Sequence, residues 1–387
     1  MKIVKKIGAK ANMFLRSSKV INSIYYYIGT LILNILKLFV RTQENLILFV
    51  SFGGKYYNDS PKAIYEAMIK DQRFKNCEFV WAFKNPKNID IPGNAKLIKN
   101  GTLEYFLISL KARVWISNAP IERRLNYKDK NTYFLCTWHG TPIKKLGEEI
   151  SNLYERTQYD AISVQGEFDV KIFERAFNMQ EGNLVRSGLP RNDILSSADR
   201  TKQVEIKGKF NIPHEKKVIL YCPTYRDWQD NFMSKIVDFK KWKDFLGDNY
   251  VVLYRAHSKV VKSDNIIANS DFVYDMSNYH DLNDLMIASD ILVSDYSSTF
   301  FDYSILDKPM YCYAYDYDEY ASKRGIYFDI RKELPGGSIS EDELLDLIRN
   351  KPYEEVMQTV RAFRGKFVEY YGNGSIKLLD EIHKKIH

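Results

Sequence analysis

Residues 291–303, ILVSDYSSTFFDY, contain the transition that decides the fold. The apolar run Ile291–Ser294 is typical of a short buried strand. Three hydroxyl residues then follow, and either Ser297 or Ser298 can cap the helix that the pattern predicts next. A strand that passes directly into a helix is the repeating unit of a parallel α/β sheet.

The same unit recurs along the chain in two series of short apolar runs. The first series is Leu46–Phe52, Glu78–Phe83, Lys96–Lys99, Arg113–Ser117, Thr132–Trp138 and Asp160–Gln165. The second series is Val218–Cys222, Val251–Arg255, Phe272–Tyr274, Ile291–Ser294 and Met310–Tyr313. Helical patterns lie between the runs, for example at Pro61–Asp71, Leu103–Leu110 and Glu167–Phe177. This alternation predicts βαβ units and parallel sheets.

The polar segment 196–216 separates the two series, so we predict two Rossmann-like, doubly wound domains that face each other across a cleft. The predicted divisions are a basic segment 1–43, an amino-terminal acceptor domain 44–205 and a carboxyl-terminal donor domain 206–387. The last helices can pack back across the first domain. Ligands of such sheets bind at the carboxyl ends of the strands, in the cleft.

The net charge of +8 belongs to one end of the chain. Residues 1–43 contain eight lysines and arginines and no acidic residue, and the rest of the chain is balanced. This distribution does not fit a nucleic-acid-binding surface spread over the protein. The four cysteines are far apart in sequence and form no CxxC pair, which predicts buried reduced thiols rather than disulfides or a zinc site.

An apolar stripe at helical spacing follows the first basic residues. The stretch from Ile24 to Val40 is 17 residues long and includes Asn34 and Lys37, whereas a spanning helix needs roughly 20 apolar residues. No small-residue cleavage site follows, which disfavours a secretory signal peptide. An amphipathic helix lying on an anionic membrane surface is the favoured interpretation. A helix packed on the protein's own core and a true membrane span are the alternatives.

The run CTWHGTPIKK places a histidine at a strand end. His139 follows the apolar strand directly, and Gly140 permits close backbone approach. Thr141 and Pro142 are a favourable N-cap and first helical residue. The pattern therefore predicts a helix whose free amides face the cleft beside His139. The alternative without a functional role is a tight turn with a solvated histidine.

Further polar residues follow strands of the second series. Arg255 and His257 project to the same side of the run YRAHS, and a guanidinium suits phosphate oxygens. In SDYSSTFFD, Ser297 and Ser298 can hold a phosphate at a helix start, and Asp302 can accept from a ribose hydroxyl. Weaker candidates at other strand ends are Arg191, Thr224, Met276 and Ser277. The chain contains no GxxxxGK[ST] motif, which disfavours a P-loop ATPase.

These motifs together resemble the bacterial CDP-glycerol:poly(glycerophosphate) glycerophosphotransferase family, which makes teichoic acids. The resemblance rests on SFGGKYYNDSPKAIYEAM, TWHGTPIKKLG, SGLPRND, CPTYRD, YRAHS and SDYSSTFFDYSILDKP, and it covers roughly residues 47–375. It implies a GT-B fold, a CDP-glycerol or CDP-ribitol donor and a polyprenyl-diphosphate-linked saccharide acceptor. It also implies peripheral attachment to the cytoplasmic face of the bacterial membrane.

The resemblance also implies roles for individual residues. His139 becomes the catalytic base, with His257 as a second catalytic residue. The donor-binding residues become Gly140, Thr141, Pro142, Arg191, Thr224, Arg255, Met276, Ser277, Ser297, Ser298 and Asp302. The sequence shows no carboxylate cluster, so a metal is not indicated, although Mg²⁺ stays open.

Three functions remain in competition at the level of sequence. The first is transfer of glycerol-phosphate or ribitol-phosphate with release of CMP. The second is a GT-B glycosyltransferase with a UDP-sugar donor, since fold alone does not fix the donor. The third is a membrane-bound scaffold without activity. The sequence does not distinguish primer synthesis from polymerisation, or a role in wall teichoic acid from one in capsule.

Overall fold

The computed structural model describes residues 19–150, 158–226, 228, 237–256 and 271–386. Within these ranges it contains two parallel sheets. The first predicted series of strands lies in one sheet, and the second series lies in the other. The first sheet contains β1 Gln43–Val50, β2 Glu78–Phe83, β3 Lys96–Lys99, β4 Ala112–Ser117, β5 Tyr133–Cys136, β6 Ala161–Ser163 and β7 Leu184–Val185. The second contains β8 Lys217–Cys222, β9 Tyr250–Tyr254, β10 Val273–Asp275, β11 Ile291–Ser294, β12 Met310–Tyr313 and β13 Gly336–Gly337. The prediction of an α/β protein with two parallel-sheet domains is confirmed.

Both sheets have doubly wound topology. The strand orders are β3-β2-β1-β4-β5-β6-β7 and β10-β9-β8-β11-β12-β13. The winding direction reverses between β1 and β4 in the first sheet and between β8 and β11 in the second. Such a reversal opens a crevice beyond the carboxyl ends of the strands, which is where ligands of open α/β sheets bind. The switch points therefore locate the functional residues.

Helices connect the strands and cover the sheets. The α-helices within the described ranges are Lys19–Lys37, Asp59–Met68, Leu103–Lys111, Glu167–Phe177, Asp193–Ser196, Arg200–Lys209, Phe239–Leu246, Leu282–Ala288, Thr299–Ser304, Tyr317–Arg324, Glu341–Asn350, Tyr353–Phe367 and Gly374–Ile386. The predicted helix Glu167–Phe177 is confirmed at both ends, and the one predicted at Pro61–Asp71 lies two to three residues earlier. The four cysteines are free thiols, and three of them are buried.

The chain crosses between the domains more than once. Leu195 already belongs to the core of the second sheet, and residue 205, the predicted boundary, lies inside the helix Arg200–Lys209. The carboxyl-terminal helix Gly374–Ile386 returns to the first domain, where Leu378 and Ile382 are buried in its core. The exact domain limits stay predictions, but the last helix packs on the first sheet.

The amino-terminal helix, Lys19–Lys37, lies against the first domain along one side only. Leu33 is buried, and the Nδ2 of Asn34 donates to the carbonyl oxygen of Asn126 at 2.9 Å. The large apolar side chains on the other side are exposed: Ile24, Tyr27, Ile28, Leu31, Ile32 and Ile35, followed by Leu38 and Phe39. Within the described ranges, no helix combines the length and apolarity needed to cross a bilayer.

Candidate functional site

The predicted helix after Pro142 is wrong. Instead of a helix, Lys144 pairs with Ile326 in an antiparallel bridge, and the backbone amide of Tyr327 donates to the carbonyl oxygen of Ile143 at 2.8 Å. Ile143 itself is buried in the core of the second sheet. The chain therefore runs extended from the first domain into the second, because burial of Ile143 there outweighs the local preference for a helix start. The next element among the described residues is a short 3₁₀ turn at Gly147–Ile150.

His139 lies at the carboxyl end of β5, beside the first switch point. Its Nδ1 is 2.9 Å from the carbonyl oxygen of Asn118, the residue that follows β4. A carbonyl oxygen can only accept, so Nδ1 carries the proton and Nε2 carries the lone pair. His139 keeps solvent-exposed surface, while the groups packed around its ring exclude much of the water. This desolvation lowers the pKa of His139, although the Asn118 hydrogen bond opposes the shift. The imidazole is therefore neutral at neutral pH.

The His139 loop meets the SDYSS segment of the second domain at Gly140. Gly140 has φ +132°, and a Cβ placed on it would lie 2.7 Å from both Cβ and Oγ of Ser298. Only glycine permits this approach, because both the backbone angle and the contact distance exclude a larger residue. The two most specific motifs of the sequence are thus in direct contact across the domain boundary.

Four polar residues, Asp59, Arg191, Asn192 and Asp302, form a buried cluster beside this contact, here called the bridging cluster. Arg191 donates to Asp59 at 2.8 Å and to Asp302 at 2.7 Å. Asn192 donates to the other oxygen of Asp302 at 2.7 Å. Burial alone would lower the pKa of Arg191, but the two carboxylates outweigh it and raise the pKa. The cluster joins the two domains, and both oxygens of Asp302 are engaged within it.

Behind His139, Thr141 is held by side chains of the first domain. Its hydroxyl donates to Oδ2 of Asp169 at 3.1 Å and accepts from Nε2 of Gln165 at 3.1 Å. Burial raises the pKa of Asp169 to about 7, and its Oδ1 has no hydrogen-bond partner among the described residues. Thr141 and Pro142 are both buried. Their contact with a donor stays a prediction.

Thr224 and Arg255, here called the donor-side group, follow β8 and β9 in the second domain. Thr224 Oγ1 and Arg255 Nη1 are buried, and neither has a hydrogen-bond partner in the described part of the chain. Burial lowers the pKa of Arg255, because the loss of water around its charge outweighs the opposing effects of Cys222, Asp281 and Tyr56. Buried polar groups in proteins are normally paired. These two donors therefore lie ready for an acceptor such as a phosphate oxygen.

Arg226 fixes the frame of this group. It is fully buried and forms ion pairs with Asp295 at 2.6 Å and Asp316 at 2.8 Å. Asp295 in turn accepts from the backbone amide of Thr224 at 2.9 Å. The CPTYR loop and the SDYSS segment are thereby tied together at the second switch point. Asp295 and Asp316 were not singled out from the sequence.

The remaining predicted residues surround the same place. Ser277 Oγ accepts from the backbone amide of Ala256 at 3.0 Å, and the amide of Met276 donates to the carbonyl oxygen of Tyr254 at 2.8 Å. The helix predicted after SDYSS is present from Thr299, whose amide donates to Ser297 Oγ at 3.2 Å. His257 lies outside the described residues. No trio of histidine, cysteine or acidic side chains in the described part could hold a metal ion.

Asn118 and Asp59 are two further residues at the site that sequence reasoning missed. Asn118 directly follows β4, so its position at a strand end was a usable signal. Its Oδ1 accepts from the amide of Phe52 at 2.8 Å, which ties the ends of β1 and β4 together. Asp59 gave no local signal, because its ion-pair partner Arg191 lies 132 positions away in sequence.

Comparison with known proteins identifies the family. The model of the CDP-Glycerol:Poly(glycerophosphate) glycerophosphotransferase family matches residues 32–384. The chain belongs to this family. As a member of this glycerophosphotransferase family, it contains its motifs at both switch points, in contact through Gly140 and Ser298.

Named relatives match most of this chain. It is 36% identical to a teichoic acid poly(glycerol phosphate) polymerase of Staphylococcus epidermidis over 89% of its own length and 51% of that protein. It is 34% identical to a teichoic acid glycerol-phosphate transferase of Staphylococcus aureus, over 88% of its length and 93% of that protein. The chain thus spans about half of the first relative and nearly all of the second.

A solved structure gives the same result. The wall teichoic acid polymerase TagF, as a histidine variant soaked with CDPG, superposes with a TM-score of 0.78 at 34% identity. The match covers 89% of this chain and 90% of that one. The two parallel-sheet domains described above are therefore those of the glycerophosphotransferase family.

Proposed function

We propose that the protein transfers glycerol-phosphate or ribitol-phosphate from a CDP-alcohol to a hydroxyl group of a polyprenyl-diphosphate-linked saccharide, releasing CMP. The product serves teichoic acid or related surface-polymer synthesis. One observation carries the proposal: His139 presents the Nε2 lone pair of a neutral imidazole, and Thr224 Oγ1 and Arg255 Nη1 have no hydrogen-bond partner among the described residues. The names of the relatives and the CDPG soak of TagF support the donor.

The proposed reaction is a phosphoryl transfer at the phosphorus that bears the alcohol. The acceptor oxygen forms a bond to this phosphorus, and the bond from phosphorus to the bridging oxygen of CMP breaks. His139 Nε2 takes the proton of the attacking hydroxyl, a task suited to a neutral imidazole. Arg255, Thr224 and the Ser297–Ser298 segment stabilise charge on the donor phosphates and on the leaving CMP. His257 is the second catalytic residue of this proposal.

The finer architecture belongs to the same proposal. We assign the chain to the GT-B type, in which two Rossmann-like domains face each other across a catalytic cleft. Support comes from the two switch points, which approach each other at the Gly140–Ser298 contact. In this arrangement the first domain presents the base and the acceptor, and the second domain holds the donor.

A donor screen tests the activity. The full chain is incubated with CDP-glycerol, CDP-ribitol or a UDP-sugar, together with a lipid-linked disaccharide, and CMP release and product mass are measured. We expect CMP release and a mass increase of one polyol-phosphate with one of the CDP-alcohols. Transfer from the UDP-sugar alone supports the glycosyltransferase alternative. Absence of release with every donor supports the scaffold alternative.

We also propose that the amino-terminal helix is an amphipathic membrane anchor on the cytoplasmic face. Its outward side carries exposed apolar side chains such as Leu31, 61% exposed, and residues 1–43 carry all of the surplus positive charge. Apolar insertion and attraction to anionic lipid act together in such helices. Each basic residue near an anionic surface contributes about 1 kcal/mol.

Vesicle flotation tests the anchor. Leu31→Asp should reduce flotation with anionic vesicles, and deletion of residues 1–43 should abolish it. Activity on a short soluble acceptor should survive Leu31→Asp. The matched control is Ile376→Asp, since Ile376 is similarly exposed at 58% but lies on the carboxyl-terminal helix. Undiminished flotation of the truncated chain would place the anchor elsewhere.

A further inference from the structure

Two consecutive arginines after β4 adopt a backbone conformation that is unfavourable for residues with a Cβ. Arg123 has φ +54° and Arg124 has φ +68°, both in the left-handed region. L-residues other than glycine, asparagine and aspartate rarely occupy this region. Both side chains are exposed. Such strain persists where the surrounding structure enforces it, and it concentrates at functional sites.

The turn that contains this arginine pair is fixed from two sides. From the first core, the Tyr105 hydroxyl donates to the carbonyl oxygen of Ile121 at 2.6 Å. From the amino-terminal helix, Thr30 Oγ1 accepts from the amide of Asn126 at 3.1 Å. The hydroxyl of Tyr25 also donates to the carbonyl oxygen of Arg123, at 3.4 Å. The arginine pair is thus part of the surface to which the helix is docked.

The guanidinium groups of the pair have no carboxylate partner within the described ranges. Arg123 donates to Oδ1 of Asn100 at 3.0 Å and lies over Gly101. No hydrogen bond or ion pair is found for the side chain of Arg124 among the described residues. Two exposed guanidinium groups on a fixed turn, without a carboxylate partner in the part of the chain that the structure describes, are suited to a doubly charged anion, since their planar forks match phosphate oxygens.

The position of the pair links the helix to the candidate active site. The same loop begins at Asn118, whose carbonyl oxygen accepts from His139. Asn100, which contacts Arg123, also donates to the carbonyl oxygen of Gly53 at 3.0 Å, next to the Phe52 ring that flanks His139. A continuous set of contacts therefore runs from the amino-terminal helix through Arg123 to the proposed base.

We propose that Arg123 and Arg124 bind the diphosphate that joins the acceptor saccharide to its polyprenyl chain. This inference rests on the proposed function, because it names the part of the acceptor that the enzyme recognises. The exposed apolar side of the helix places the lipid at the membrane surface, the arginine pair holds the diphosphate beside it, and the saccharide hydroxyl extends to His139. Anionic phospholipid offers similar phosphate chemistry, so the test must separate the two sources.

The test variant is Arg123→Gly/Arg124→Gly, because glycine accepts the left-handed angles and removes both charges. Its melting temperature should equal or exceed that of the wild type. The KM for the lipid-linked acceptor should rise at least tenfold per arginine, since each charge-assisted hydrogen bond is strong. A soluble acceptor with a short alkyl diphosphate should show the same loss. A soluble acceptor without the diphosphate, and the affinity for CDP, should be unchanged.

The matched control is Lys87→Ala/Lys240→Ala, which removes two exposed positive charges elsewhere and should leave every KM unchanged. An unchanged KM for both diphosphate acceptors in the glycine variant would overturn the inference. So would a loss confined to binding of anionic phospholipid vesicles, since that places phospholipid on the pair. If the wild type binds CDP but transfers to no polyprenyl-linked acceptor, the proposed function itself has failed, whatever the variant does.

Discussion

The bridging cluster and the donor-side group both bury an arginine, but only the arginine of the bridging cluster has carboxylate partners among the described residues. Arg191 has a carboxylate from each domain and a raised pKa. Arg255 has a buried Nη1 without a partner among the described residues and a lowered pKa. A buried charge with complete partners holds a structure together, whereas a buried charge without them is costly until a ligand arrives. The difference separates residues that join the domains from residues that await a substrate.

Substitution of His139 should give the largest effect on activity, because its Nε2 lone pair is available to take the proton of the acceptor. His139→Ala should reduce kcat by a hundred- to ten-thousand-fold, the usual contribution of a general base. Affinity for CDP and the melting temperature should change little. The measurement is CMP release together with calorimetry. The control is His214→Ala, which removes an exposed histidine of the second domain. Its rate of CMP release and its affinity for CDP should equal those of the wild type.

The pH profile sharpens the same prediction. A base must be deprotonated, and desolvation lowers the pKa of His139 below its usual 6.5. The acidic limb of kcat/KM, which reports ionisations of the free enzyme, should therefore lie below pH 6.5 in the wild type. The limb should be missing from the residual rate of His139→Ala. An identical limb in both proteins would assign the proton transfer to another group.

Arg191→Ala should destabilise the protein by disrupting the bridging cluster. It leaves Asp59 and Asp302 buried without their cation, a change that typically costs about 3–5 kcal/mol. The free energy of unfolding from denaturant titration measures this loss. Arg186→Ala removes the partner of two surface carboxylates and should cost less than about 1 kcal/mol. Equal losses in the two variants would remove the distinction between the cluster and an ordinary surface pair.

Arg255→Ala should weaken donor binding without lowering stability. Donor affinity should fall by about 1.5–3 kcal/mol, the worth of a hydrogen bond to a charged group. Stability should be unchanged or higher, because an unpaired buried charge is removed. Calorimetry with CDP and denaturant titration give the two values, and Arg175→Ala, at the exposed surface, is the control. Normal CDP affinity would remove Arg255 from the donor site.

Asp169 should affect stability through its dependence on pH. Its pKa is raised to about 7 in the folded chain, against roughly 3.9 when unfolded. The folded state thus holds the proton more tightly, so this stability is complete below about pH 4 and lost as pH rises through 7. Asp169→Asn should flatten the fall in unfolding free energy between about pH 4 and pH 7. Parallel curves for variant and wild type would show that Asp169 is ionised throughout.

The strands and the switch-point residues were accessible from the sequence because both depend on local pattern. Apolar runs predicted eleven strands, and polar residues directly after them marked His139, Thr224 and Arg255. Strands β7 and β13 escaped, since two residues each are too short for any periodicity.

The failures have one physical cause, which is contact over long sequence distance. Thr141 and Pro142 have the composition of a helix start, but the burial of Ile143 in the other domain decides the conformation. Arg191 was assigned to the donor from its motif, yet its guanidinium pairs with residues 132 positions earlier and 111 positions later. No local pattern reports such partners. The donor role of Arg191 stays a prediction beside its bridging role.

The return of the carboxyl-terminal helix to the first sheet has a consequence for synthesis of the protein. Leu378, Leu379 and Ile382 complete the core beside the helix Asp59–Met68. The ribosome makes these residues only after every strand of the second sheet. The nascent first domain therefore waits with one sheet face only partly covered while the second domain can already fold. We expect this face to be the region that chaperones protect during translation.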